Sequence, residues 1–125
     1  MKKIKLMLEY RCFPIWIYDE NRNLIGNDIP NEMNDKKINS ICTEIQEQYD
    51  LLFVDNEKEF KHIGFHDENS KNEFVKKVMK IEEMLKEKAG KCFLIENAVN
   101  VNGFIVKDGN GAGYNTGDGS LDTQD

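Results

Sequence analysis

The sequence predicts an α+β domain in which an antiparallel sheet, built from elements in the order ββαβαβ, packs against two helices. Two apolar runs near the N-terminus have the character of strands, and two later segments repeat apolar residues at the spacing of a helix face. A chain of 125 residues can bury a core without disulfides or a metal. We expect a single domain over residues 1–99 and a C-terminal tail rich in Gly, Asn and Asp over residues 100–125.

The first two strands are predicted over residues 3–10 and 13–18, joined as an antiparallel hairpin. In the first, alternate residues are apolar, as in a half-buried strand: Ile4, Leu6, Leu8 and Tyr10. The second contains the only tryptophan, Trp16, which is open to two interpretations: core packing, or an aromatic anchor for a partner. Residues 19–23 form a predicted turn, because Asn and Asp side chains bond readily to nearby backbone. Leu24 and Ile25 then resume an extended run that Gly26 ends.

Two helices are predicted from their apolar stripes. The first follows Asn34 and Asp35, either of which can cap it, and its stripe recurs at helical spacing through Ile38, Ile41, Cys42, Ile45, Tyr49, Leu52 and Phe53. The second is predicted to open at a capping box, residues 70–73, and to end at Ala89 and Gly90. Its stripe consists of Phe74, Val78, Ile81 and Leu85. Short strands are expected on either side of it, over residues 60–65 and 92–95.

Composition and charge exclude several classes of function. No apolar run approaches the ~18 residues of a membrane span, and no signal-peptide core follows Met1, so we expect a cytoplasmic protein that does not bind membranes. The net charge of −6 disfavours nucleic acid and favours a basic protein as the partner. We expect neither a cofactor nor a small-molecule ligand.

Most of the negative charge lies in one short stretch, residues 44–59. It contains six acidic residues against one base, Lys58, which leaves a charge of −5. The acidic residues are the candidate partner-binding set: Glu44, Glu47, Asp50, Asp55, Glu57 and Glu59. A solvated helix face is the alternative interpretation of the same pattern.

The cysteines and histidines do not form a recognisable site. Cys12, Cys42 and Cys92 are odd in number and widely spaced, which argues against a disulfide framework or a zinc ribbon. His62 and His66 lie four residues apart, but on a predicted strand and its exit loop, with no third metal ligand. The alternative function is a small cytosolic enzyme that pairs Cys12 or Cys42 with one of these histidines. No hydrolase, phosphate-loop, dinucleotide-binding or zinc-protease motif supports it.

The tail after Val99 raises two further possibilities. Residues 101–106 could add an edge strand to the sheet. Residues 108–119 partly match a calcium-binding loop, but Gly119 stands where the bidentate acid should be. Residues 117–122 match one unit of a glycine-rich calcium repeat, and one unit cannot stack on itself. We therefore predict no metal site.

Several stretches resemble a family of small bacterial immunity proteins from polymorphic-toxin and contact-dependent growth inhibition systems. The resemblance covers residues 2–97 and lies in FPIWIYDE (13–20), NDIP (27–30), IQ and YD (45–46 and 49–50), LFVDN (52–56), EF (59–60) and GF (64–65). It implies a protein without an active site that binds and neutralises a cognate toxin domain, a basic nuclease being the class that suits an acidic partner. It identifies no binding residues. A phage or plasmid anti-nuclease factor would use the same acidic surface.

Overall fold

The computed structural model of the protein describes residues 1–100 and Val106. The helices and strands follow the order β1 (Lys2–Leu6), β2 (Ile15–Tyr18), β3 (Leu24–Gly26), a 3-10 turn (Asn31–Met33), α1 (Lys36–Asp50), β4 (Phe53–Asp55), β5 (Phe60–His62), α2 (Glu68–Ala89) and β6 (Phe93–Asn97). The α+β class is confirmed, but three strands precede α1 and two separate the helices, so the predicted order ββαβαβ is wrong. The residues form two compact units. Unit 1 comprises Met1–Glu47 and Lys77–Val99, and the described part of unit 2 is Gln48–Lys76 with Asn100 and Val106.

Unit 1 contains a mixed four-stranded sheet with the strand order β3-β2-β1-β6. β1 pairs with β2 in antiparallel orientation, as predicted for the first hairpin, but it pairs with β6 in parallel. The prediction of a wholly antiparallel sheet is therefore wrong. The reason is that β6 reaches the sheet through α2 and not through a tight turn, and a helical connection can bring a strand in parallel to its neighbour.

The buried apolar residues of unit 1 come from the sheet and from both helices. The register sets Ile4 opposite Ile17 and Leu6 opposite Ile15, so these side chains share a face, and Ile4, Leu6 and Ile15 are buried. α1 contributes buried Ile38, Cys42 and Ile45, and α2 contributes Val78, Ile81, Leu85 and Ala89. The apolar stripes read from the sequence thus mark the buried faces of both helices over these residues.

The helix starts show one correct prediction and one error. At α1, the Asp35 carboxylate accepts hydrogen bonds from the N–H groups of Lys37 (2.7 Å) and Ile38 (3.3 Å), so Asp35 is the N-cap. These bonds, with that from Lys88, hold the pKa of Asp35 below its usual value. At α2, the predicted capping box is wrong, because Asp67 bonds to the N–H of Ser70 and starts the helix earlier.

The predicted ends of the elements are also partly correct: one agrees with the structure and two do not. α2 ends at Ala89, as predicted, where Gly90 takes a left-handed conformation with φ +54°. α1 ends at Asp50, whereas its predicted stripe ran on to Phe53. β1 ends at Leu6, short of the predicted Tyr10. The backbone then turns over residues 9–12, where the N–H of Cys12 donates to the carbonyl of Glu9.

The described part of unit 2 contains an antiparallel hairpin. β4 pairs with β5 so that Phe53 faces His62 and Asp55 faces Phe60. The predicted strand over residues 60–65 is thus shorter and has a partner that the sequence did not indicate. Past β5, the Leu52 carbonyl accepts hydrogen bonds from the N–H groups of Ile63 (2.6 Å) and Gly64 (3.1 Å). The buried rings of Phe65 and Phe74, 5.4 Å apart, form part of the interior of this unit.

Three predictions concern residues beyond those described. The calcium-loop pattern of residues 108–119 and the repeat-like residues 117–122 lie outside the described residues, as does the predicted edge strand over 101–106 except for Val106. Val106 forms a single parallel bridge with Phe65. The boundary between a domain of residues 1–99 and a tail of residues 100–125 stays a prediction.

Candidate partner-binding surface

The six candidate acids fall into two groups. Glu44, Glu47 and Asp50 follow one another three residues apart along α1, a spacing that places neighbours on one side of a helix. Glu44 and Glu47 are exposed, and Asp50 is half-buried. The other three belong to the hairpin and are all exposed: Asp55 ends β4, and Glu57 and Glu59 lie in the turn.

The acids differ in how far their charge is already compensated. Glu44 forms an ion pair with Lys77 of α2 at 3.1 Å, and Glu59 forms one with Lys61 at 3.6 Å. Glu47 and Glu57 form no ion pair with any residue in the described part of the chain. The charges of Glu47 and Glu57 therefore face solvent with the least internal compensation.

The two units also differ in overall charge. Unit 1 contains twelve acidic and twelve basic residues, so it is balanced. Residues 48–76 of unit 2 contain seven acidic residues and four basic ones, an excess of three negative charges. A basic partner would be attracted to unit 2 more strongly than to unit 1.

Sequence reasoning missed a group of aromatic rings on the hairpin. The Phe53 ring stacks on Phe60, with centroids 5.4 Å apart and planes 12° apart. The rings of His62 and Tyr49 also contact Phe53, with centroids 5.0 Å and 5.2 Å away. Two features of the sequence could have indicated this hairpin: the polar turn at Asn56, and the alternation of Phe60 with His62 after it. The hairpin was missed because Phe53 was assigned to the apolar stripe of the first helix.

Trp16 is part of the core. It exposes 9% of its surface, and its indole Nε1 donates a hydrogen bond of 3.0 Å to the carbonyl oxygen of Met7. A buried Trp needs such a partner for its N–H. Of the two interpretations that the sequence allowed, the structure supports core packing over a surface anchor.

The Cys42 thiol is not suited to nucleophilic catalysis. Cys42 is buried in α1, and burial, assisted by the charge of Asp28, raises its pKa to about 12. Such a thiol is not a nucleophile at neutral pH, because the thiolate is the reactive form. Burial lowers the pKa of His62, which contacts the Phe53 ring. No cluster of three potential metal ligands occurs in residues 1–100 or at Val106.

Together these observations define a small α+β protein that exposes a stretch of acidic residues and an aromatic side chain. A model of the family described as Serratia CdiI immunity protein-like matches residues 2–96. The chain belongs to this family of immunity proteins, which neutralise a cognate toxin of contact-dependent growth inhibition and are not enzymes. The family predicted from the sequence is thus confirmed, and the alternative of a Cys/His enzyme is wrong. No curated protein matches this sequence.

The helices give one further result. Over the residues that the structure describes, neither α1 nor α2 combines the length and apolar character required to cross a membrane.

Proposed function

We propose that the cognate toxin is a basic nuclease domain, which this protein neutralises in the cytoplasm by covering its active site or an adjacent surface. The observation that carries the proposal is the charge of residues 44–59, six acidic side chains against one basic one. A nuclease must hold a phosphate backbone, so its substrate groove is lined with Lys and Arg. An acidic protein surface fits such a groove.

The six acids are the proposed contact set: Glu44, Glu47, Asp50, Asp55, Glu57 and Glu59. Their main effect would be on the rate of association, because exposed charges attract a basic partner before contact and salt screens that attraction. Glu47 and Glu57 should matter most, since the described residues leave them without an ion-pair partner.

The test is binding to the toxin domain encoded directly upstream, with association rates measured at low and high salt. Reversing Glu47, Asp50 and Glu57 to lysine together should slow association about tenfold or more at low salt and much less at high salt. Co-expression then reports whether protection of the cell falls in parallel.

A matched control separates local attraction from net charge. Glu32, Glu83 and Glu87 are exposed acids outside residues 44–59, and their reversal to lysine changes the net charge by the same amount. This control should associate much faster than the first triple variant. Equal rates for the two variants, or a wild-type rate that does not depend on salt, would remove the acidic set from the mechanism. Nuclease activity of the isolated toxin domain tests its proposed class directly.

A further inference from the structure

Phe60 is an exposed aromatic residue of the hairpin in unit 2. It begins β5, faces Asp55 in the strand register and exposes 56% of its surface. A single exposed apolar side chain is common on protein surfaces. The surroundings of this ring therefore decide whether it has a role.

The ring of Phe60 is supported from within the hairpin. Phe53 and Asp55 of β4 lie on the same face of the hairpin as Phe60 and His62 of β5. The reason is that alternate residues of paired strands share a face. The Phe60 ring stacks on Phe53, which His62 contacts in turn. A ring held in this way loses little conformational freedom when a partner covers it, and pre-organisation of that kind raises affinity.

Charged residues lie near Phe60 in the strand register and in the chain. Asp55 lies opposite Phe60, and Glu57 and Glu59 precede it in a turn that is itself ordered. The side-chain oxygen of Asn56 accepts hydrogen bonds from the N–H groups of Lys58 (2.8 Å) and Glu59 (3.0 Å). An aromatic residue within a polar rim is the usual composition of an interface hot spot.

We propose that Phe60 is the anchor of this immunity protein, inserted into an apolar pocket of the toxin domain that Lys or Arg side chains border. The proposal rests on the proposed function, since it assigns the contact residue of the same partner. The excess of negative charge in residues 48–76 selects a basic partner for this unit.

The other exposed apolar side chains fit this role less well. Leu24, Ile25, Met79 and Leu94 belong to unit 1, where acidic and basic residues are equal in number and no sign of charge is selected. Leu51 lies in unit 2 and is more exposed than Phe60, at 74%. Leucine is, however, under-represented among hot spots, whereas large aromatic side chains are the usual anchors.

Two measurements test the anchor on the full-length chain with the toxin domain encoded upstream. In the first, Phe60→Ala should weaken binding about 30-fold or more, mainly through faster dissociation. The matched control is Leu24→Ala, which removes a side chain of nearly equal exposure (52%) from β3 and should change affinity less than about threefold. Thermal unfolding of both variants monitors the fold.

The second measurement does not require removal of the ring. A photo-crosslinking phenylalanine derivative placed at position 60 should form a covalent adduct with the toxin, while the same residue at position 24 should not. Adducts from position 24 alone would overturn the proposal and point to β3. A loss of affinity in Phe60→Ala without an adduct from position 60 would overturn it as well, because Phe60 would then only support the hairpin.

The wild-type chain distinguishes this inference from the proposed function. Suppose that it binds and protects against the toxin, but that Phe60→Ala keeps wild-type affinity and position 60 forms no adduct. Phe60 is then not the anchor, and the proposed function stands. If it fails to bind the toxin domain, both proposals fall.

Discussion

In the β2–β3 hairpin, the carboxylate of Asp19 accepts two backbone hydrogen bonds, of 2.8 and 2.9 Å, from the residues of its turn. In the β4–β5 hairpin, the side-chain oxygen of Asn56 accepts two backbone hydrogen bonds of 2.8 and 3.0 Å. Both turns therefore close by the same device, an Asx side chain that binds the backbone just after it. The two acceptors differ in charge: Asp19 is a carboxylate, whereas the side chain of Asn56 is a neutral amide.

The strands of the two hairpins are stabilised by different means. β2 is an inner strand of a four-stranded sheet, and its large ring, Trp16, is buried. Among the residues that the structure describes, β4 and β5 pair only with each other, and a two-stranded sheet has little stability of its own. Contacts of the Phe53 ring with Phe60 and His62 across the two strands contribute to the stability of the hairpin. The large ring of β2 is therefore buried, whereas Phe60 of the β4–β5 hairpin exposes 56% of its surface.

The largest expected effect is the difference in unfolding free energy between a Trp16 variant and a Phe60 variant. Trp16→Ala should lower the free energy of unfolding by about 3–5 kcal/mol, because it leaves a cavity and an unpaired carbonyl at Met7. Phe60→Ala should cost about 1 kcal/mol, since the half-exposed ring loses mainly its stacking on Phe53. Urea unfolding of both variants measures the difference. Equal losses would show that the hairpin ring is as much a part of the core as Trp16.

A smaller effect concerns the backbone of the two turns. Arg22, in the β2–β3 turn, has a left-handed conformation with φ 69°, which costs a residue other than glycine roughly 1–2 kcal/mol. Arg22→Gly removes that strain but adds flexibility to the unfolded chain, so we expect a gain in stability of up to about 1 kcal/mol. Lys58→Gly, in the β4–β5 turn, is the control and should not stabilise, because its φ is not positive. Thermal unfolding that ranks Lys58→Gly above Arg22→Gly would contradict this account.

The smallest effect is a difference in response to acid. The hydrogen bond from the Asn23 backbone, with others from Asn21 and the Asn23 side chain, holds the pKa of Asp19 below its usual value. A carboxyl group whose pKa is lower in the folded state stabilises the fold above about pH 4, and this contribution is lost as the pH falls through the lowered pKa. Asn56 carries no charge, so the hydrogen bonds that it accepts do not depend on its ionisation.

Nuclear magnetic resonance can observe this directly. The amide protons of Asn21 and Asn23 should titrate with a midpoint below the usual pKa of an aspartate, and Asp19→Asn should abolish that step. The amides of Lys58 and Glu59, which bond to the uncharged side chain of Asn56, should not respond to Asp19→Asn. A midpoint at the ordinary aspartate value would mean that the turn does not favour the ionised form of Asp19.

Local patterns in the sequence were sufficient for several parts of the fold. The stripes of both helices, the Asp35 cap, the end of α2 at Gly90 and the turn closed by Asp19 all depend on neighbours within a few residues. The second helix cap failed for an equally local reason. Asp67 and Ser70 are both good caps, and the helix took the earlier one.

The candidate site was predictable in part. The exposure of Glu44 and Glu47 followed from helical spacing, but the stacking of Phe60 on Phe53 did not. Phe53 stood in phase with the α1 stripe, so the sequence assigned it to a helix that ends at Asp50. Only the pairing of β4 with β5 brings its ring onto Phe60.

The sequence by itself determined the α+β class, the acidic charge, the apolar faces of the helices and the family resemblance that the family match confirms. Each of these is a property of composition or of residues close in the chain. The tertiary structure alone decided that β6 runs parallel to β1, that α1 stops where β4 begins, and that Trp16 is buried while Phe60 is exposed. Periodicity states which side chains share a face, but strand direction and burial depend on contacts between residues far apart in the chain.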